Sequence, residues 1–217
     1  MSWRSMSGVT VRGFVRAMAV WCAMAGVARA DGGFAADLAH RAMVECEQGR
    51  RATVRSEREA HFTHGQELAQ QAVTADDNSA PAHFALFCNM GELMRIDGES
   101  ITSVFQLRRL MGELDKTLAI DPGHTDALSS KGQLLVRLPR LLGGDVQQGE
   151  AMLRQVIQKD PTAVASRLAL AKTCEARGDR EEALAFTTRA LQIAREQGRA
   201  DKVAEAQSIL AKLRAGR

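Results

Sequence analysis

His61 and His64 stand three residues apart in a helix-compatible stretch, so both rings could share one face, with His40 or His83 completing a metal set. A zinc site asks for further donors at fixed spacing, and neither cysteines nor carboxylates accompany the pair in that pattern. The two read better as part-exposed histidines near a helix start, and no metal or other cofactor is expected. Cys46 or Cys88 could act as a nucleophile beside one of these histidines, but the local sequence supplies no activating turn or oxyanion donor. Gly143 and Gly144 could cradle an anion ahead of a helix. Asp145 at the cap position would already satisfy the free N–H groups and repel a second anion, which leaves a structural turn. Glu57 with Glu59, and Glu181 with Glu182, sit among arginines as solvated charge, not in the apolar setting that raises a carboxylate's pKa for acid catalysis. No catalytic constellation emerges, and the expectation is a binding protein that is not an enzyme.

The elements that carry these residues read as helices. Ala, Leu, Glu, Gln, Arg and Met dominate, clean two-residue alternation is missing, and apolar residues recur at spacings of three and four. The spacing predicts helices over about 80–94, 100–118, 125–138, 146–159, 162–176, 180–195 and 201–213, preceded by a less regular pair over 34–60 and 66–75. Gly178 suits a left-handed helix stop and Asp179 the next cap, Gly198 ends the following helix, and Pro139 ends the one before the Gly143-Gly144 turn. The chain is therefore expected to be all-α.

Three junctions match one another: Asp76-Asp77-Asn78, Asp121-Pro122-Gly123 and Asp160-Pro161-Thr162, spaced 45 and 39 residues apart. Aligned on them, Ala82, Ala127 and Ser166 coincide, as do Leu86 with Leu170, and Met90 with Leu135 and Cys174. In the unit starting at Val164, Leu170, Ala171, Gly178, Asp179, Ala183, Ala190 and Leu191 occupy small and apolar positions in the manner of the tetratricopeptide repeat family, and Gly132 takes the small-residue place in the unit starting at Thr125. Residues 65–198 resemble that family, although its helix-A aromatics are mostly missing, Arg195 stands where a proline is usual, and two units carry insertions. The Pro139-to-Gly144 link also resembles that of the periplasmic T component of TRAP transporters.

The resemblance implies an α-solenoid, a right-handed superhelix of about four helix pairs, with residues 31–64 as an irregular helical lead-in and 199–217 as a C-terminal capping helix. It further implies a concave trough lined by the first helix of each pair, with Phe84, Cys88, Asp126, Ser129, Gln133, Arg137, Lys172 and Glu175 facing a protein or peptide partner. The alternative it suggests is a small-ligand component associated with a membrane transporter.

Residues 1–30 have the layout of a secretory signal: Arg4, Arg12 and Arg16, an apolar run from Ala17 to Ala28, and small residues at Ala28 and Ala30 ahead of a cut after Ala30. The run is too short to span a bilayer, so no stable membrane insertion is expected. Four of the 29 basic residues and none of the 26 acidic ones lie there, so the remaining chain carries 25 against 26, a net charge of −1. Such a balance offers no basic stripe for nucleic acid. The chain is thus expected in the periplasm or outside the cell, with its partner in the envelope. Of the cysteines beyond the signal, Cys46, Cys88 and Cys174, at most two can pair internally, and all three read as small buried hydrophobes.

Overall fold

The structure is a computed structural model that describes residues 12–96 and 104–215, with side chains from residue 32 onward in the first stretch. The expected signal cut at Ala28 and Ala30 lies outside the residues whose side chains are described. Among the described residues there are nine α-helices, one 3-10 turn and no strand. In order they are α1 (Arg12–Arg51), α2 (Arg55–Ala75), α3 (Ala80–Ile96), α4 (Val104–Ile120), α5 (Thr125–Arg137), α6 (Val146–Lys159), α7 (Val164–Arg177), α8 (Arg180–Glu196) and α9 (Ala200–Ala215), with the 3-10 turn at Arg140–Leu142. The chain is all-α, and most helix ends fall within two residues of the sequence expectation.

The three matched junctions share one hydrogen-bond pattern. Asp76, Asp121 and Asp160 each donate their backbone N–H four residues back, to Ala72, Thr117 and Val156, at 2.9, 2.8 and 2.7 Å. Each then turns its carboxylate onto the N–H two residues ahead, of Asn78, Gly123 and Thr162, at 2.9, 2.9 and 2.8 Å. Aspartate is suited to this place because its short side chain closes an Asx turn while its own N–H finishes the helix. The two glycine stops expected at 178 and 198 have φ of 84° and 67°, the left-handed region that a Cβ disfavours. Asp179 differs from expectation: its carboxylate does not cap α8 but meets Arg177 at 3.4 Å. Asp145 does cap α6, accepting from Gln148 N–H at 2.9 Å.

The break between the first two helices also differs. It lies at Ala52–Val54, not between Ala60 and Gln66. Gly65, which falls between the expected helices 34–60 and 66–75, is buried inside α2, where a Cβ would come within 2.2 Å of Asn89 Oδ1 on α3. Its missing side chain serves a close helix crossing and not a turn.

The chain divides into two compact units, Met1–Ile96 and Asp97–Arg217. In the first, α1, α2 and α3 all touch one another. Phe62 and Leu86 are fully buried there, and Phe62 lies on the bare backbone of Gly49. In the second, consecutive helices from α4 to α9 pack in series, and α5 touches α7 as α7 touches α9. Helices α6 and α8 meet through side chains, Arg154 of α6 pairing with Glu182 of α8 at 2.6 Å. The core of its last turn joins Val164, Leu168 and Cys174 of α7 to Ala183, Ala190 and Ile193 of α8 and Ala206, Ile209 and Leu213 of α9. Helix α9 thus covers the apolar end of the stack, as a capping helix should.

Candidate functional site

The odd layer of the second unit positions most of the residues expected to meet a partner. On α5, Asp126 is exposed and Ser129 and Gln133 are half-buried, one turn apart and on one face. Ser129 reaches α7 through a 2.9 Å hydrogen bond with the hydroxyl of buried Ser166, and Gln133 Nε2 donates to Ser129 Oγ at 3.1 Å. The chain of three polar groups explains why small hydroxyl residues stand at this crossing: they let α5 approach α7 and still satisfy each other's hydrogen-bonding groups. Arg137 is exposed at the end of α5.

Lys172 and Glu175 follow on α7, the first exposed and the second half-buried. Lys172 Nζ donates to Glu205 Oε1 of α9 at 2.7 Å, and Lys202 holds the other oxygen at 2.8 Å. Burial pushes the Glu205 carboxyl up, but the hydrogen bonds from Lys172 and Lys202 outweigh it and hold it below the usual carboxylate range. The result is a face with hydroxyl and amide groups at its centre and paired charges toward α9. It presents hydrogen-bond donors and acceptors and charges of both signs.

Phe84 and Cys88 need correcting. Both lie on α3 in the first unit and are buried, 7% and 5% exposed, so they do not offer surface to a partner. Helix α3 packs against both α1 and α2 and buries residues around most of its circumference, including His83, Asn89 and Glu92. Reading α3 as half-exposed underestimated that cover.

The other chemical candidates resolve into structural contacts. His61 Nδ1 lies 2.7 Å from Glu45 and His64 Nδ1 lies 3.9 Å from Glu67, so the two rings engage different carboxylates. No group of three or more metal-ligating residues occurs among the described residues. Gly144 is needed because a Cβ there would fall 1.8 Å from the carbonyl oxygen of Leu138. Cys174 is fully buried, and its thiol donates to Glu182 Oε2 at 3.3 Å. Burial and that donated hydrogen bond push its pKa up to about 11, which keeps it protonated and inert. One cap escaped the sequence reading: His124 Nδ1 accepts from Ala127 N–H at 3.3 Å at the start of α5. A groove of about 590 Å³ lies along α2, lined by Phe34 of α1 with Gln66, Glu67, Gln70, Gln71, Thr74 and Ala75. No helix among the described residues is long and apolar enough to cross a membrane.

Residues 140–213, from the 3-10 turn to α9, match the family model described as tetratricopeptide repeat. Among solved structures, the chain is similar to one titled "MamA RS-1 ArsTM double mutant", at 13% identity and a TM-score of 0.48, over 79% of this chain and 96% of that one. A second, "Crystal structure of MamA protein", aligns at 12% identity and a TM-score of 0.37, over 74% of this chain and 95% of that one. No curated protein matches.

Proposed function

We propose that this chain is an exported, non-enzymatic scaffold that holds a segment of a protein partner from the cell envelope against the odd layer of its second unit. The observation that carries this reading is the α5, α7 and α9 face itself. It runs over helices that touch one another, α5 on α7 and α7 on α9, and joins exposed Asp126, Arg137 and Lys172 to the half-buried Ser129 and Gln133. A tetratricopeptide-type region over residues 140–213 supports a protein-binding role for such a face. The mixed charge suits a partner segment that carries acidic residues toward Arg137 and Lys172 and a basic one toward Asp126.

The test is the paired variant Arg137→Glu with Lys172→Glu. Its expected result is a loss of partner affinity of about tenfold or more, with helical content unchanged, measured on partners recovered from the envelope fraction. Because Lys172→Glu sets two carboxylates together, Glu205→Lys is added in a companion variant that restores the α7–α9 ion pair in reverse. If partners bind both variants as they bind the parent, this face is not the site.

Export rests on the arrangement of residues 1–30. Both tryptophans, Trp3 and Trp21, lie in that segment and the chain has no tyrosine. Processing after Ala30 is therefore expected to abolish tryptophan fluorescence and nearly all absorbance at 280 nm. A chain recovered from the envelope with both signals intact and its original N-terminus would sink the cleavage.

A further inference from the structure

Cys46 and Cys88 are brought together by the first unit in a way that neither residue's local sequence foretells. Cys46 lies on α1 one turn before Arg50, and Cys88 lies on α3 one turn before Glu92. Arg50 Nε donates to Glu92 Oε1 at 2.7 Å across a separation of 42 residues. Cys46 and Cys88 are the same 42 residues apart, each one turn before its partner in that ion pair, and each thiol shifts the titration of the other. The preserved offset means that α1 and α3 run parallel with thiol opposite thiol on one rung and ion pair on the next. On the far side of the thiols, Asn89 Nδ2 donates to the backbone oxygen of Ala42 at 3.0 Å, so a second tether spans the same two helices. Cys46 is fully buried and Cys88 is 5% exposed.

The electrostatics give the two sulfurs different roles. The Cys88 thiol lowers the pKa of Cys46 against the opposing effect of burial, and the Arg50 guanidinium lowers it further. Cys46, together with burial, pushes Cys88 well above the ordinary thiol value. Arg50 is kept in place by Glu92. Burial pushes the Glu92 carboxyl up, and Arg95 and Arg50 outweigh it and keep it ionised.

We propose that Cys46 and Cys88 are a redox-controlled staple between α1 and α3, a dithiol that a disulfide-bearing oxidant converts to an intramolecular disulfide. The Cys46 thiolate attacks one sulfur of the oxidant's disulfide, whose other sulfur leaves as thiolate and takes up a proton. Cys88 then loses its proton and attacks the Cys46 sulfur, expelling the oxidant's second thiol. Two protein thiols are oxidised and one external disulfide is reduced to two thiols. Because both sulfurs are buried, exchange proceeds when α1 opens from α3, and closure afterwards shields the bond from reductant. The staple depends only on the geometry of the first unit and stands apart from the partner-binding and export readings.

The experiment equilibrates the full chain with oxidised and reduced glutathione, blocks free thiols under denaturing conditions and maps the unreduced peptides by mass. A Cys46–Cys88 linked peptide is expected in the oxidised sample and is retained in a Cys22→Ser, Cys174→Ser variant. In that variant oxidation is expected to raise the thermal midpoint by about 5–10 °C, reversed by reductant, because a long loop is closed in the unfolded chain. Free thiols at both positions after oxidation, a link made instead to Cys22 or Cys174, or an unchanged midpoint would each overturn the staple.

Discussion

A chain carrying Phe62→Ala is expected to lose about 3–5 kcal/mol of stability in its N-terminal unit, the largest effect of any single truncation there. Phe62 is 0% exposed, and its ring fills the space between α2 and α1. What the ring touches on α1 is a glycine. A Cβ at Gly49 would lie 2.5 Å from Phe62 Cε1 and 2.8 Å from Cζ. The helices therefore approach as closely as they do because one position is bare and the other carries an aromatic ring. Phe62→Ala removes the buried area and leaves a cavity that α1, held to α3 by Asn89 and Glu92, cannot collapse to fill. The pair also makes a double-mutant prediction. Gly49→Ala alone destabilises by forcing the ring aside, whereas in the Phe62→Ala background the same methyl enters vacant space and becomes neutral or favourable. Urea unfolding followed by far-UV circular dichroism measures all four corners. Additive effects, or a Phe62→Ala cost under about 1 kcal/mol, would show that the ring is not what sets this helix spacing.

Gly149→Leu is expected to cost about 3 kcal/mol or more in the C-terminal unit and to weaken every contact of α6 with α5. Gly132 on α5 and Gly149 on α6 face each other, backbone to backbone. A Cβ at 149 would fall 2.8 Å from Gly132 O and 2.7 Å from Val136 Cγ1, and one at 132 would fall 3.1 Å from Gly149 O and 2.9 Å from Leu153 Cγ. Overpacking a core costs about 1–3 kcal/mol when side chains can shift. Here one obstacle is a carbonyl inside a helix, which moves only if the helix moves. The fully buried Leu153 and nearly buried Leu135 beside the crossing would lose their contacts as the helices part. Gly112 on α4 provides the control, since a Cβ there meets nothing within 4 Å. Gly112→Ala is expected to be neutral or to stabilise by about 0.5–1 kcal/mol through helix propensity alone. Equal costs for the two glycines would refute a packing role for Gly149. Because α5 carries Asp126, Ser129, Gln133 and Arg137 of the proposed face, Gly149→Leu is expected to lower affinity together with stability, unlike the charge variants at Arg137 and Lys172.

Cross-helix ion pairs contribute less. Arg154 meets Glu182 at 2.6 Å and lies over the Phe186 ring at 5.4 Å, while Arg177 meets Glu150 at 2.7 Å. These ties link α6 to α7 and α8 at a part-exposed surface, where solvent screens such pairs. They orient the hairpins more than they hold them together.

Much of this molecule is determined within a few residues of chain. Helix class, the Asx turns at Asp76, Asp121 and Asp160, the left-handed stops at Gly178 and Gly198 and the cap at Asp145 all arise from local hydrogen bonds and local sterics, so residue type and spacing carry them. The exposure of Asp126, Arg137 and Lys172 on α5 and α7 was legible too, because the matched junctions set the register of both helices. Tertiary structure decided the rest. The stretch between 60 and 66 reads as a break until Asn89 is seen to lie on Gly65, and Phe84 and Cys88 read as facing a partner until α1 and α2 close over α3. The meeting of Cys46 with Cys88 depends on two helices separated by a third, a relation that no repeating spacing encodes. A helix's period tells which residues share a side, but only the neighbours that pack against it determine how many of its sides are covered.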